Sequence, residues 1–163
     1  SGTVVQITLD DVKGDHPLRM LDFQLEIERR AFKAGGGNLV APAQRMIDFV
    51  ENRLSLDLPK NSYLPGTKSV MLDQILPDFV SKSLKAALPL FGKKMKGYYT
   101  NDAILVGVES RTSSPVRIPR DKQTYQHPQV NGLYPCAEGA GYAGGIVSAA
   151  IDGINCANAI LNK

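Results

Sequence analysis

Residues 132–145 read Gly-Leu-Tyr-Pro-Cys-Ala-Glu-Gly-Ala-Gly-Tyr-Ala-Gly-Gly, and a stretch rich in Ala, Ile and Gly follows over 146–161. The pattern predicts a short strand over Leu133–Cys136, a glycine-rich turn from Glu138 to Gly145, and a helix over 146–161. A turn nearly free of side chains at a helix N-terminus brings backbone N–H groups against an anionic or carbonyl-bearing ligand. Gly139, Gly141 and Gly144 also match G-x-G-x-x-G, the dinucleotide fingerprint. That fingerprint should open a βαβ unit with an acidic residue about 20 positions on. Here the chain reaches Lys163 just after the helix, and Asp152 lies within it. The usual dinucleotide unit is therefore not expected. A strand, turn and helix forming one wall of a nucleotide site is.

A chain of 163 residues can bury one core and is short for two. Its hydrophobic fraction of 43% suits a folded domain rather than a disordered one. Net charge is only +3, and the densest basic cluster is Lys93-Lys94-Met95-Lys96. So short a cluster argues for a solvated surface and against a nucleic-acid partner. No apolar run approaches the roughly 20 residues of a membrane span, and nothing before Thr3 reads as a signal peptide. A cytoplasmic protein with no membrane partner is expected. Cys136 and Cys156 have neither zinc-site nor C-x-x-C spacing, so free thiols and no metal are expected. Ser1-Gly2 reads as an expression scar.

In chain order, Val4–Leu9 alternates apolar residues with Gln and Thr, the period of a half-buried strand. His16-Pro17 marks a helix start, and apolar stripes from Leu18 to Ala34 predict a helix over 17–34. Gly35-Gly36-Gly37 stops it, either as a second ligand loop or as a C-cap and turn. Pro42 is expected to open a helix over 42–53, and Ser69 to cap a short helical turn. Pro77 should open another helix over 77–90, ended by Pro89 and Gly92, so that 17–92 reads as mostly helical. Ala103–Val108 is a continuous apolar run, as in a strand covered on both faces. Behind it, Arg111 and Arg117 have the chemistry to hold a phosphate or carboxylate, with Ser113 and Ser114 as further donors. The same residues suit a solvated β-ribbon equally well. The fold class expected is α/β.

The stretch Gly-Val-Glu-Ser-Arg-Thr-Ser-Ser-Pro-Val-Arg-Ile at 107–118, with 132–136 and 138–145, resembles the C-terminal region of bacterial FAD-dependent dehydrogenase-like proteins. These form a largely uncharacterised FAD/NAD(P)-binding oxidoreductase family. His16-Pro17-Leu18, Phe23-Gln24, Ala-Pro-Ala-Gln-Arg at 41–45 and Asp48-Phe49 resemble its middle region, so the resemblance covers nearly the whole chain. It departs at Ala137, where the family has Gly before the Glu. The resemblance implies a fragment of a two-domain, glutathione-reductase-like flavoprotein. Residues 3–100 would be a mostly helical portion of the substrate domain, and 101–163 the return segment of the FAD-binding domain. The partner implied is a missing N-terminal FAD-binding portion of the same chain, alongside an unknown small-molecule substrate. By similarity, Glu138 takes the ribityl or phosphate side of the cofactor, and Gly144, Gly145 and Ile146 the flavin-ring side. Gly139 and Gly141 complete that cofactor-binding turn. FAD is expected in the full-length protein and not in the isolated piece.

Two functions stay open on these residues. One is an oxidoreductase piece supplying part of an FAD site. The other is a helical protein-interaction module on 17–92 with a vestigial nucleotide-binding lobe. The first expects Arg and Ser of 111–117 to converge on the glycine turn; the second expects them to point apart. With only His16 and His127 present, no Ser-His-Asp or paired-carboxylate arrangement stands out, and no catalytic residue is assigned. Cys136 is expected to be a small strand residue, because no thiol or base neighbours it in the sequence.

Overall fold

In the computed structural model, which describes residues 1–162, Ala41–Arg45 forms β1, and its first four residues are all buried. It is the middle strand of a three-stranded sheet ordered β2-β1-β3. β2 (Thr67–Ser69) runs parallel to it and β3 (Ile104–Val106) antiparallel, with Ala43 opposite both Ser69 and Val106. The helix expected over 42–53 is thus corrected to a strand followed by a single short helix, α2 (Met46–Val50). Proline lacks the N–H that a central strand uses. The register removes that objection: Pro42 falls beside Gly107, past the end of β3, and its carbonyl accepts the Gly107 amide at 2.9 Å. Gln44, fully buried, then pins the strand. Its amide donates to the Arg53 carbonyl at 2.5 Å, and its oxygen accepts the Leu72 N–H at 3.0 Å.

The chain divides into two compact units, one of residues 1–11 and 25–110, the other of 12–24 and 111 onward. Helix α1 (Arg19–Gly35) runs through the boundary between them. It ends in a Schellman arrangement, in which the Gly37 N–H meets Phe32 O at 2.9 Å and the Gly36 N–H meets Lys33 O at 3.1 Å. Gly36 sits at φ +115°, and a Cβ on Gly35 would lie 2.0 Å from the Val40 oxygen. Capping and close approach account for the triple glycine without a ligand.

In the first unit, α3 (Asp78–Lys94) continues through both residues expected to end it. Proline forfeits one backbone bond within a helix. Gly92 is kept for packing, since a Cβ there would meet Tyr99 Cβ at 2.4 Å. Helices and sheet enclose a core of Ala31, Met46, Phe49, Leu72, Ile75 and Leu88. Because β1 and β2 lie inside 17–92, that stretch is α/β rather than mostly helical. β3 is shorter than the apolar run that contains it, and lies at the sheet edge with Val106 exposed. It is not covered on both faces. Val4–Leu9 keeps the expected alternation, with Val5 and Ile7 half-buried and Gln6 and Thr8 exposed, but joins no sheet. A one-turn 3-10 helix over Leu9–Asp11 follows it.

In the second unit, α4 (Ile146–Leu161) is a helix, with the limits its composition predicts. Leu133–Cys136 is not a strand; it runs as irregular chain, held in part by the His127 N–H on the Leu133 carbonyl at 2.8 Å. Of α4 only Cys156 is buried, whereas Ile146, Val147, Ile151, Ile154 and Leu161 are exposed. No helix among the described residues is long and apolar enough to cross a membrane.

Candidate functional site: the glycine turn and the start of α4

The turn is closed by its own backbone, with the Gly141 N–H on Glu138 O and the Tyr142 N–H on Ala137 O, both at 2.9 Å. Ala137 takes φ +56°, in the left-handed region that favours glycine. The departure from the family pattern therefore falls on a position whose conformation asks for Gly. Gly141, at φ +80°, is required sterically as well: a Cβ would lie 2.5 Å from Val116 O and 3.0 Å from Arg117 Cα. The other three glycines differ from it. A Cβ on Gly139 meets nothing within 4 Å, and those on Gly144 and Gly145 meet only Ser113 Oγ at 3.7 Å and Ser148 Oγ at 3.6 Å. The chain's own packing has no need of glycine at those three positions.

The segment 111–118 folds onto this turn. Ile118 N–H donates to Ala140 O at 3.1 Å, and Arg117 Nε donates to Gly141 O at 3.0 Å. Ser113 lies against Gly144, as above, while the Ser114 hydroxyl is taken by its own loop, donating to Val116 O at 2.8 Å. Arg111 is exposed. Glu138 is exposed and makes no ion pair among the described residues. At the start of α4, the Ser148 hydroxyl folds back on Gly145, accepting its N–H at 3.2 Å and donating to its carbonyl at 2.9 Å. No acidic side chain occupies the first turn, so the amides of Ile146 and Val147 keep the positive end of the helix uncompensated. Of the four residues expected to converge on the turn, Arg117 and Ser113 lie against it, and Ser114 turns back on its own loop.

Sequence reasoning missed the group that fixes α4 beneath the turn. Arg120 makes a bidentate pair with Asp152, Nη2–Oδ1 2.6 Å and Nη1–Oδ2 2.9 Å, and donates to the Pro135 carbonyl at 2.8 Å. Its guanidinium lies 3.6 Å from the centre of the Tyr142 ring and 4.5 Å from that of Tyr125. Asp152 Oδ2 also accepts the Ala137 N–H at 2.8 Å, which holds the left-handed residue in place. The Arg120 hydrogen bonds hold the Asp152 carboxyl down at about 2, against the opposing effect of burial. The signal was present, since Asp152 is the single charged residue of α4. A second correction concerns Cys136. Its thiol does have a neighbour, because Cys136, Asp152 and Cys156 place their ligand atoms within 4.8 Å of one another.

Against known proteins, the family described as "FAD-dependent protein, C-terminal domain-like" matches residues 1–112. The chain belongs to this family. An uncharacterised protein of Clostridium beijerinckii is 47% identical over 165 residues, a match covering all of this chain and 31% of that protein. The chain thus spans about a third of the length of the curated relative it matches. The family match stops before the glycine turn, whereas the relative's extends over it.

Proposed function

We propose that this chain is the C-terminal part of an FAD-dependent oxidoreductase of the two-domain, glutathione-reductase-like kind, and that its glycine turn and α4 face the flavin. The observation that carries the reading is the set of glycines the fold itself does not need. Gly139, Gly144 and Gly145 leave backbone open beside an uncompensated helix N-terminus, a surface suited to close approach by a flat or anionic group. Gly144, Gly145 and Ile146 would face the flavin ring, Glu138 and Gly139 the ribityl or phosphate side, and Gly141 and Arg117 would hold the turn. Arg111, Ser113 and Ser114 would stand at the substrate or phosphate edge. Bound there, the flavin supplies the redox chemistry. The chain's part is a positive helix end, which favours negative charge on the reduced cofactor.

The exposed apolar side chains of α4 support the same reading, because a helix apolar on most of its surface belongs in an interior. The missing cover would come from the other two thirds of the polypeptide, which would carry the ADP-binding βαβ unit. A dehydrogenase acting on a small molecule in the cytoplasm is the activity proposed for the whole.

Flavin content of the purified full-length protein tests this. Wild type should be yellow. Gly144→Ala adds a single methyl carbon that meets only Ser113 Oγ within 4 Å, so it should spare folding yet lower flavin occupancy several-fold after dialysis. Glu138→Ala should do the same by removing a charged acceptor. Full occupancy in both variants would overturn the assignment of this turn.

A further inference from the structure

We propose that Cys136 and Cys156 form a redox-active dithiol, which closes into an intramolecular disulfide by exchange with small-molecule disulfides. The inference is independent of the flavin reading. Both thiols are free, and their sulfurs lie within 4.8 Å of each other although 20 residues separate them in sequence (136 to 156). Two features of α4 bring them together. Gly153 presents no side chain, and a Cβ there would lie 3.9 Å from Cys136 Sγ, so the loop sulfur seats against the helix one turn before Cys156. The Arg120–Asp152 pair then ties the Cys136 loop to the same helix through Pro135 O and the Ala137 N–H.

The two thiols differ in the way an ordered exchange requires. Cys136 is half-buried and reachable, while Cys156 is buried, with 4% of its surface exposed. Burial, and next its hydrogen bond with Cys136, push the Cys156 thiol up to about 11, so it is protonated at neutral pH. The first attack therefore falls to Cys136. Arg120 Nη1 stands 3.4 Å from Cys156 Sγ, placed to stabilise its thiolate when it forms. The same guanidinium argues against a metal here. It would oppose a cation, and the Asp152 oxygens are already taken by Arg120 and the Ala137 amide.

In the first step the Cys136 thiolate bonds to one sulfur of a disulfide RSSR. The S–S bond breaks, and the departing thiolate takes up a proton to become RSH. Cys156 then loses its proton to solvent and attacks Cys136 Sγ, forming the Cys136–Cys156 bond and expelling the second RS group, which is protonated in turn. Two protein thiols are oxidised, and one RSSR is reduced to two RSH.

The test uses the reduced full-length protein, treated with oxidised glutathione, quenched in acid, alkylated with iodoacetamide and cut with trypsin. No Lys or Arg lies between Gln123 and Asn162, so both cysteines fall on one peptide and are read apart from any others. The wild-type peptide should come out two hydrogens lighter and unalkylated. Cys156→Ser should stop with one glutathione on Cys136, and Cys136→Ser should leave Cys156 free of glutathione. A wild-type peptide carrying two alkyl groups, or one glutathione and one alkyl group, overturns the proposal whether or not the variants fold. So does glutathione on Cys156 in Cys136→Ser at the wild-type rate.

Discussion

Ala137 holds a left-handed conformation that costs a side-chain-bearing residue about 1–2 kcal/mol, and Asp152 and the turn hydrogen bonds hold it there. Ala137→Gly should relieve that strain while adding about 0.5–1 kcal/mol of unfolded-chain entropy. A net stabilisation of up to about 1 kcal/mol is expected, read as a higher midpoint in urea with unchanged slope. A larger effect follows from Asp152. Its carboxyl titrates at about 2 when folded, against 3.8 ordinarily. A lowered folded value means stability present above pH 4 and lost as pH falls through 2. The difference corresponds to about 2 kcal/mol at roughly 1.4 kcal/mol per pH unit. Asp152→Asn should therefore be strongly destabilising at pH 7, because it leaves the Arg120 charge buried without its partner. The gap from wild type should narrow by about 2 kcal/mol between pH 5 and pH 2. A gap that stays constant over that range would show that the pair contributes nothing through charge.

At the scale of the element, α4 is the clearest case of local composition agreeing with tertiary structure. Its limits follow from Gly145 before it and from an unbroken run of helix-compatible residues. Gly153 is the exception inside it, and a glycine in a helix interior costs about 0.5–1 kcal/mol relative to alanine. Because a Cβ there would touch only Cys136 Sγ, at an ordinary 3.9 Å, Gly153→Ala should stabilise the protein by about that amount. A loss of stability in thermal unfolding would mean that the sulfur needs the full space. β1 is the opposite case. Ala-Pro-Ala-Gln-Arg has neither alternation nor β-branched residues, and Pro42 reads as a helix start. It is a strand because Gln44 finds Arg53 and Leu72 in the interior, and because the missing proline donor falls past the end of β3. Those are long-range facts, invisible to a local window.

For the whole molecule, the decisive feature is what the chain leaves uncovered. Ile146 and Leu161, 92% and 82% exposed, are apolar side chains of α4 that the described residues do not cover. The helix dipole offers a charged ligand about 0.3–1 kcal/mol when solvent-exposed. Binding must offset at least several kcal/mol of lost ligand freedom. FAD titrated into the isolated 163-residue chain should therefore show weak or no binding by flavin fluorescence. A sub-micromolar dissociation constant would make the chain a self-contained nucleotide site and sink its assignment as one part of a larger one. The sequence alone determined the glycine turn, the helix behind it, α1 and its glycine stop, and the resemblance to an FAD-dependent family. All of these rest on residues close together in the chain, where spacing and backbone preference decide. Tertiary structure alone decided that 41–45 is the central strand, that α3 passes through Pro89, and that Leu133–Cys136 joins no sheet. It alone brought Arg120, Tyr142, Asp152 and the two cysteines together. Their meeting depends on a loop folding back over a helix 16–36 positions further along, and no local pattern encodes that return.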